Sequence, residues 1–187
     1  MSTALTRGAN VVLTELAPGL RRVLVGLGWT APTGDYQVDL AVLLTGDDGR
    51  VPTDDYVVFA SQLDAAATPG PEASAPTRRS DAEQIEVDLT DVPDYVARIV
   101  FTGTLYSALP RRQSFGQLHN LYIQLSDLDS GRELVRYTLD HDAGSETSLA
   151  FGELYRHRSG WKFRAVGQGW ADGLAGLARD YGAQLTS

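Results

Sequence analysis

At 187 residues, with 43% hydrophobic and 21% charged side chains, the chain has the composition of a soluble globular domain long enough to bury a core. It is acidic, with 24 Asp and Glu against 16 Lys and Arg and a formal net charge of -8; a nucleic-acid binder needs a basic face to displace counterions, so that class is disfavoured. Cysteine is absent, which excludes disulfides, thiolate chemistry and Cys-type metal sites.

The stretch MSTALTRGAN lacks an apolar targeting core and no segment approaches membrane-spanning length, so a cytoplasmic protein is expected. Val11 to Leu13 and Val23 to Trp29 read as strands, separated by the Pro18-Gly19 break. Val38 to Leu44 is an apolar run with one charge inside it. That residue, Asp39, either faces solvent at a strand edge or is aimed at a cation. Thr45 to Arg50 reads as a turn around Asp48-Gly49, and Tyr56 to Phe59 as a further strand. From Asp64 to Arg79, three prolines and many alanines without a large apolar residue predict a mobile surface loop within one domain spanning 1–187.

After it, Ile85, Val87 and Leu89 alternate with acids, and Ala97 to Leu105 reads as a buried strand. Leu121 to Leu125 and Leu134 to Leu139 flank a hairpin turn at Asp127 to Gly131. Leu149, Phe151, Glu153 and Tyr155 alternate with Ala150, Gly152, Leu154 and Arg156; after the loop His157 to Gly160, the run Trp161, Phe163, Ala165 forms a second strand. Leu174, Leu177, Ala178 and Tyr181 lie at helical spacing, with Asp172 as the expected N-cap and Gly182 as the stop. Many short strands and one late helix predict an all-β fold, a β-sandwich of two packed sheets with short helices.

The run GELYRHRSGWKFRAVGQGW, from Gly152 to Trp170, resembles the C-terminal signature of the TerD family of tellurium-resistance and stress-response proteins. So do Arg7-Gly8-Ala9-Asn10, Ala17-Pro18-Gly19-Leu20, Val23 to Trp29, Val87-Asp88-Leu89, Val92-Pro93, Ile99-Val100-Phe101 and Gln113-Ser114-Phe115-Gly116. The motifs occur in order from Leu5 to Gly182. The resemblance implies two packed β-sheets, calcium binding, and work alongside partner proteins, often near membranes; peripheral membrane association therefore stays open. Without cysteine, direct reduction of tellurite by the side chains is not expected.

The family's acidic motifs are only partly present. Its Asp-x-Asp reads Gln37-Val38-Asp39, its Gly-Asp-Asp-Glu reads Ser80-Asp81-Ala82-Glu83, its asparagine pair falls near Ala60-Ser61, and a later acid reads Ser107. Calcium takes six to eight hard oxygens, and each of these exchanges removes charge or an oxygen donor from such a site. Asp39, Asp81 and Glu83 are the remaining metal ligands that the resemblance implies. Either they hold a weakened calcium site or binding has been lost.

Asp127-x-Asp129-x-Gly131 lacks the trailing glutamate of an EF-hand, and Asp140-His141-Asp142 reads as a solvated strand end. Asp142 and Glu146 fall where the family also carries acids. His119 and His157 stand alone, Arg111-Arg112 is a modest basic spot, and no nucleophile elbow, phosphate loop or dinucleotide fingerprint occurs. The expected function is a non-enzymatic interaction or scaffold module of a stress or defence system, its partners other proteins. The alternatives are a calcium sensor, or a binder of a small ligand such as a cyclic nucleotide.

Overall fold

Alternating apolar residues build eleven strands, and a computed structural model describes them over residues 2–59, 83–139 and 143–184. The expected loop at 64–79 lies outside the described residues, as do Asp81 and Asp140-His141-Asp142. The strands are β1 (Thr3–Leu5), β2 (Asn10–Val12), β3 (Arg22–Thr30), β4 (Val38–Thr45), β5 (Val57–Phe59) and β6 (Glu83–Asp88), then β7 (Arg98–Leu105), β8 (His119–Asp127), β9 (Glu133–Thr138), β10 (Ser148–His157) and β11 (Gly160–Trp170).

They form two sheets, five strands in the order β1-β9-β8-β3-β6 and six in the order β2-β11-β10-β7-β4-β5. All pairings are antiparallel except β1 on β9. The expected β-sandwich is therefore present. Its core takes Val23, Val25, Leu27, Ile123 and Leu125 from one sheet and Val42, Ile99, Phe101, Phe151 and Phe163 from the other. A fully buried side chain of this size contributes about 1.5–3 kcal/mol relative to exposure.

The β10–β11 hairpin departs from strict alternation. Continued along β10, the pattern would place Glu153 on the core face with Leu149 and Phe151. Instead, the register shifts between Ala150 and Gly152, and Phe151 and Gly152 together oppose Phe101. This β-bulge reverses the phase, so Leu154 enters the core and Glu153 and Tyr155 face outward. Gly152 belongs at the bulge because a Cβ there would lie 2.4 Å from the Phe163 ring. The loop is also shorter than expected, for His157 pairs with Gly160 and leaves only Arg158 and Ser159 between the strands.

Among the described residues, three short α-helices accompany the sheets: α1 (Leu13–Leu16), α2 (Ala108–Arg111) and α3 (Leu174–Tyr181). Helix α3 lies on the outer face of the six-stranded sheet, where Leu177 and Ala178 meet Ala41, Leu43, Val100 and Ala150. Gly182 ends it in the left-handed conformation, at φ 75°, as its sequence position suggests. Asp172 is not its N-cap. Gly173 takes that position at φ 65°, and Asp172 instead binds Arg179 at 3.1 Å.

Candidate functional site

The two described metal-ligand candidates stand on different sheets. Val38 and Leu40 enter the core, so Asp39 between them faces outward from the six-stranded sheet. Gln37, where the family carries the first acid, donates its amide to Asp39 Oδ1 at 3.1 Å. Opposite Asp39 in the ladder is Thr104, whose hydroxyl lies 2.7 Å from that of Ser148. Glu83 begins β6 opposite Leu27, on the strand face that carries Ile85 and Val87 inward. The two described carboxylates thus stand on the inner face of one sheet and the outer face of the other, and do not by themselves make the convergent oxygen cage that calcium takes. Among the described residues, no three His, Cys, Asp or Glu side chains gather where they could hold a metal ion.

The remaining acidic motifs among the described residues serve the backbone. Asp127 accepts from the Asp129 amide at 3.1 Å and from the Ser130 hydroxyl at 2.6 Å, while Gly131 takes φ 69°. The Ser130 hydrogen bond, ahead of the backbone contacts, holds the Asp127 carboxyl below the usual carboxylate range. Asp127 to Gly131 is a hairpin turn. Glu146 accepts from the Gly144 amide, and its own carbonyl receives the Phe115 amide at 2.9 Å. His157 contacts the Ser159 hydroxyl at 2.8 Å across the hairpin tip.

The connection from β7 to β8 has features the sequence reading passed over. Its apolar positions Phe115 and Leu118 are buried, and Phe115 meets Phe151 edge-on with ring centroids 6.0 Å apart. Gln117 accepts from the Ser114 amide and the Tyr36 hydroxyl, each at 2.9 Å. Arg111 donates to the Asp35 carbonyl at 2.8 Å. Gly116 passes so close to Gly144 that a Cβ would fall 2.4 Å from its carbonyl oxygen. Ser107, Arg112 and Asn120 adopt φ of 51°, 54° and 51°, unfavourable for side chains with a Cβ and tolerated where surrounding contacts fix the backbone. This frame holds Leu109 77% exposed and Tyr106 50% exposed, beside the exposed Arg111 and Arg112. Arg111 and Arg112 were legible as a basic spot. Their exposed apolar neighbours were not, because an apolar side chain in sequence does not tell whether the fold covers it.

A second polar cluster follows from the bulge. Glu153, 3% exposed, turns to the outer face between two arginines: its Oε1 lies 3.2 Å from Arg98 Nη1 and 3.0 Å from Arg164 Nη2. Burial, with the Glu153 charge adding to it, pushes the Tyr181 hydroxyl on α3 up to about 12. No described helix is long and apolar enough to cross a membrane.

Comparison with known proteins agrees with this architecture. The TerD domain model matches residues 1–181. The chain is 41% identical to tellurium resistance protein TerD of Serratia marcescens, over 97% of this chain and 98% of that protein. It is 35% identical to general stress protein 16U of Bacillus subtilis, over 99% of this chain and 100% of the relative. A crystal structure of a homologue of the telluride resistance protein TerD from Streptomyces coelicolor superposes with a TM-score of 0.63 at 22% identity, covering 86% of this chain and 96% of that one. The family model and the near full-length identities, on a sandwich of the same fold, make this chain a member of the TerD family of tellurium-resistance and stress-response proteins.

Proposed function

We propose that this TerD-type chain is a non-enzymatic interaction module of a stress-response or defence system, with calcium binding weak or lost. One observation carries the reading: the β7–β8 connection presents Leu109 and Tyr106 to solvent on a backbone where two left-handed non-glycine residues, Ser107 and Arg112, flank α2. Backbone strain of this kind costs about 1–3 kcal/mol per residue, so a loop that bears it is supported for what it displays. Arg111 and Arg112 beside the apolar pair suit a partner protein with an apolar recess rimmed by acids. Reduced calcium affinity is supported by the Asp39 and Glu83 placements and by Gln37 standing where the family carries an acid.

Two measurements test the proposal together. Chelator-treated protein is melted across a calcium series with magnesium as control, beside Asp39→Asn and Asp81→Asn. A ligand that binds the folded state raises stability by RT ln(1 + [L]/Kd), so a lost site gives a flat response. A calcium-specific rise abolished by either variant would move the protein to the sensor class. In parallel, a Tyr106→Ser, Leu109→Ser double variant is used to complement a strain lacking the gene under tellurite or oxidative stress. Loss of protection with an unchanged melting temperature is the expected result; full protection would overturn the loop's role.

A further inference from the structure

Beyond the end of α3, the outer face of the six-stranded sheet carries a second surface of opposite character to the acidic whole. Tyr155 on β10 pairs in register with Arg98 on β7 and Lys162 on β11, so the three form one row across three strands. Arg164 stands opposite Glu153 in the preceding row. Bulge and alternation place all of them outward, since Leu154, Trp161, Phe163 and Ala165 take the core side. The cluster holds three cations and one carboxylate, and the carboxylate is already engaged by Arg98 and Arg164. It is therefore a positive patch on a chain whose net charge is -8.

The patch is also prearranged. A guanidinium has five donors in a rigid fork, and each arginine meets Glu153 Oε1 through one of its terminal nitrogens. Their side chains remain 36% and 42% exposed, so the other donors face solvent. Because Glu153 fixes both heads, a second anion meets them with little further loss of rotamer freedom. Lys162 lies outside this ion pair network, its ammonium 3.5 Å from Asn10 Oδ1.

We propose that the Arg98–Tyr155–Lys162 row, with Arg164, is a docking surface for an acidic polypeptide segment of a partner protein. Adjacent strands lie about 4.8 Å apart, so Arg98 and Lys162 are separated by about 10 Å, the reach of about three extended residues. A segment with acids at that interval meets both cations while its backbone crosses Tyr155. A single small anion reaches only one end of the row, on an open sheet face where water screens each contact. A long nucleic acid would meet the repulsion of the whole acidic chain. The inference rests on the interaction-module reading only for its class of occupant, and it uses a different face from the Leu109 loop.

The test is fluorescence anisotropy with a labelled hexaglutamate peptide, against a Gly-Ser peptide of equal length. Saturable binding of hexaglutamate alone is expected, weakening as salt shortens the screening length below the about 10 Å span of the row. Lys162→Glu should weaken it about tenfold without changing the melting temperature, as reversal of a contacting charge does. Arg164→Lys should weaken it less, because charge is kept and the fork is lost. Leu109→Ser should leave it unchanged, so this surface and the β7–β8 loop fail or stand separately. Equal binding of both peptides, or no effect of Lys162→Glu, would overturn the proposal. So would loss of binding in Leu109→Ser, or displacement by inorganic phosphate at matched charge, which would assign the row to small anions.

Discussion

Replacing Glu153 by Gln keeps the side chain's shape and removes its charge, which isolates what the carboxylate does between Arg98 and Arg164. In the native protein, one buried oxygen meets two guanidiniums at 3.2 and 3.0 Å. A hydrogen bond to an ionised group is worth about 1.5–3 kcal/mol and a neutral one about 0.5–1.5, so each contact loses about 1 kcal/mol in the amide. Removing one partner of a fully buried ion pair costs about 3–5 kcal/mol, but both arginines are more than one-third exposed and water resolvates them. A net destabilisation of about 2 kcal/mol follows, and for a chain of this size that lowers the melting temperature by about 4–8 °C. Urea unfolding in low and high salt measures it. The midpoint should fall with little change in slope, and the gap between wild type and variant should narrow with salt. A Glu153→Gln protein melting within about 1 °C of wild type would refute the reasoning, because the carboxylate would then be worth no more than a neutral acceptor.

Three further outcomes are expected. Tyr181 is raised from the ordinary 10.0 to about 12, so the fold favours its neutral form; its stability contribution is complete below about pH 10 and is lost as pH rises to about 12. That loss amounts to about 2–3 kcal/mol in urea midpoints taken at stepped pH, and Tyr181→Phe should remove it while keeping the edge contact to Trp170. Asp127 has a lowered value in the fold, so its contribution is present above the ordinary carboxylate range and disappears as pH falls through the folded value. Asp127→Asn should therefore destabilise near neutral pH, by less than about 1 kcal/mol at this exposed turn, and make no difference in strong acid when the two proteins' urea midpoints are compared. Gly116→Ala drives a Cβ to 2.4 Å from a backbone oxygen that cannot rotate away, and about 1–3 kcal/mol of strain should appear in its melting temperature. Faster amide exchange at Gly116, whose N–H binds the Gly144 carbonyl, would locate the strain there.

Most strands were legible because one face of each is buried and the side-chain period is two. Ile85, Val87 and the β4 run read directly as core positions and are found there. The exceptions have local causes. Glu153 misleads because the bulge lies within an apolar run whose composition does not change across it; only the pairing with Phe101 fixes the phase. Asp172 was expected to cap α3, yet Gly173 reaches a φ of 65° that a capping side chain would resist, and the aspartate turns to Arg179. Of the candidate metal residues, Asp39 was legible as either a solvent-facing strand residue or a ligand, and its outward placement is compatible with both. Glu83 stands opposite Leu27, a pairing that sequence spacing does not reveal. The exposed Leu109 carried no signal, because exposure belongs to the tertiary frame.

The strands nearest the N-terminus divide between the sheets. β1 lies parallel on β9, β2 pairs with β11, and the Thr14 hydroxyl reaches the Ser159 carbonyl 145 residues away. During synthesis, this segment emerges before its partners and meets them only once β9 and then β10–β11 have followed. Until then its backbone groups have only water or another chain to bind. Such distant pairing makes for slow closure. β1 and β2 therefore wait for β9 and for the β10–β11 hairpin before even one edge of each is paired.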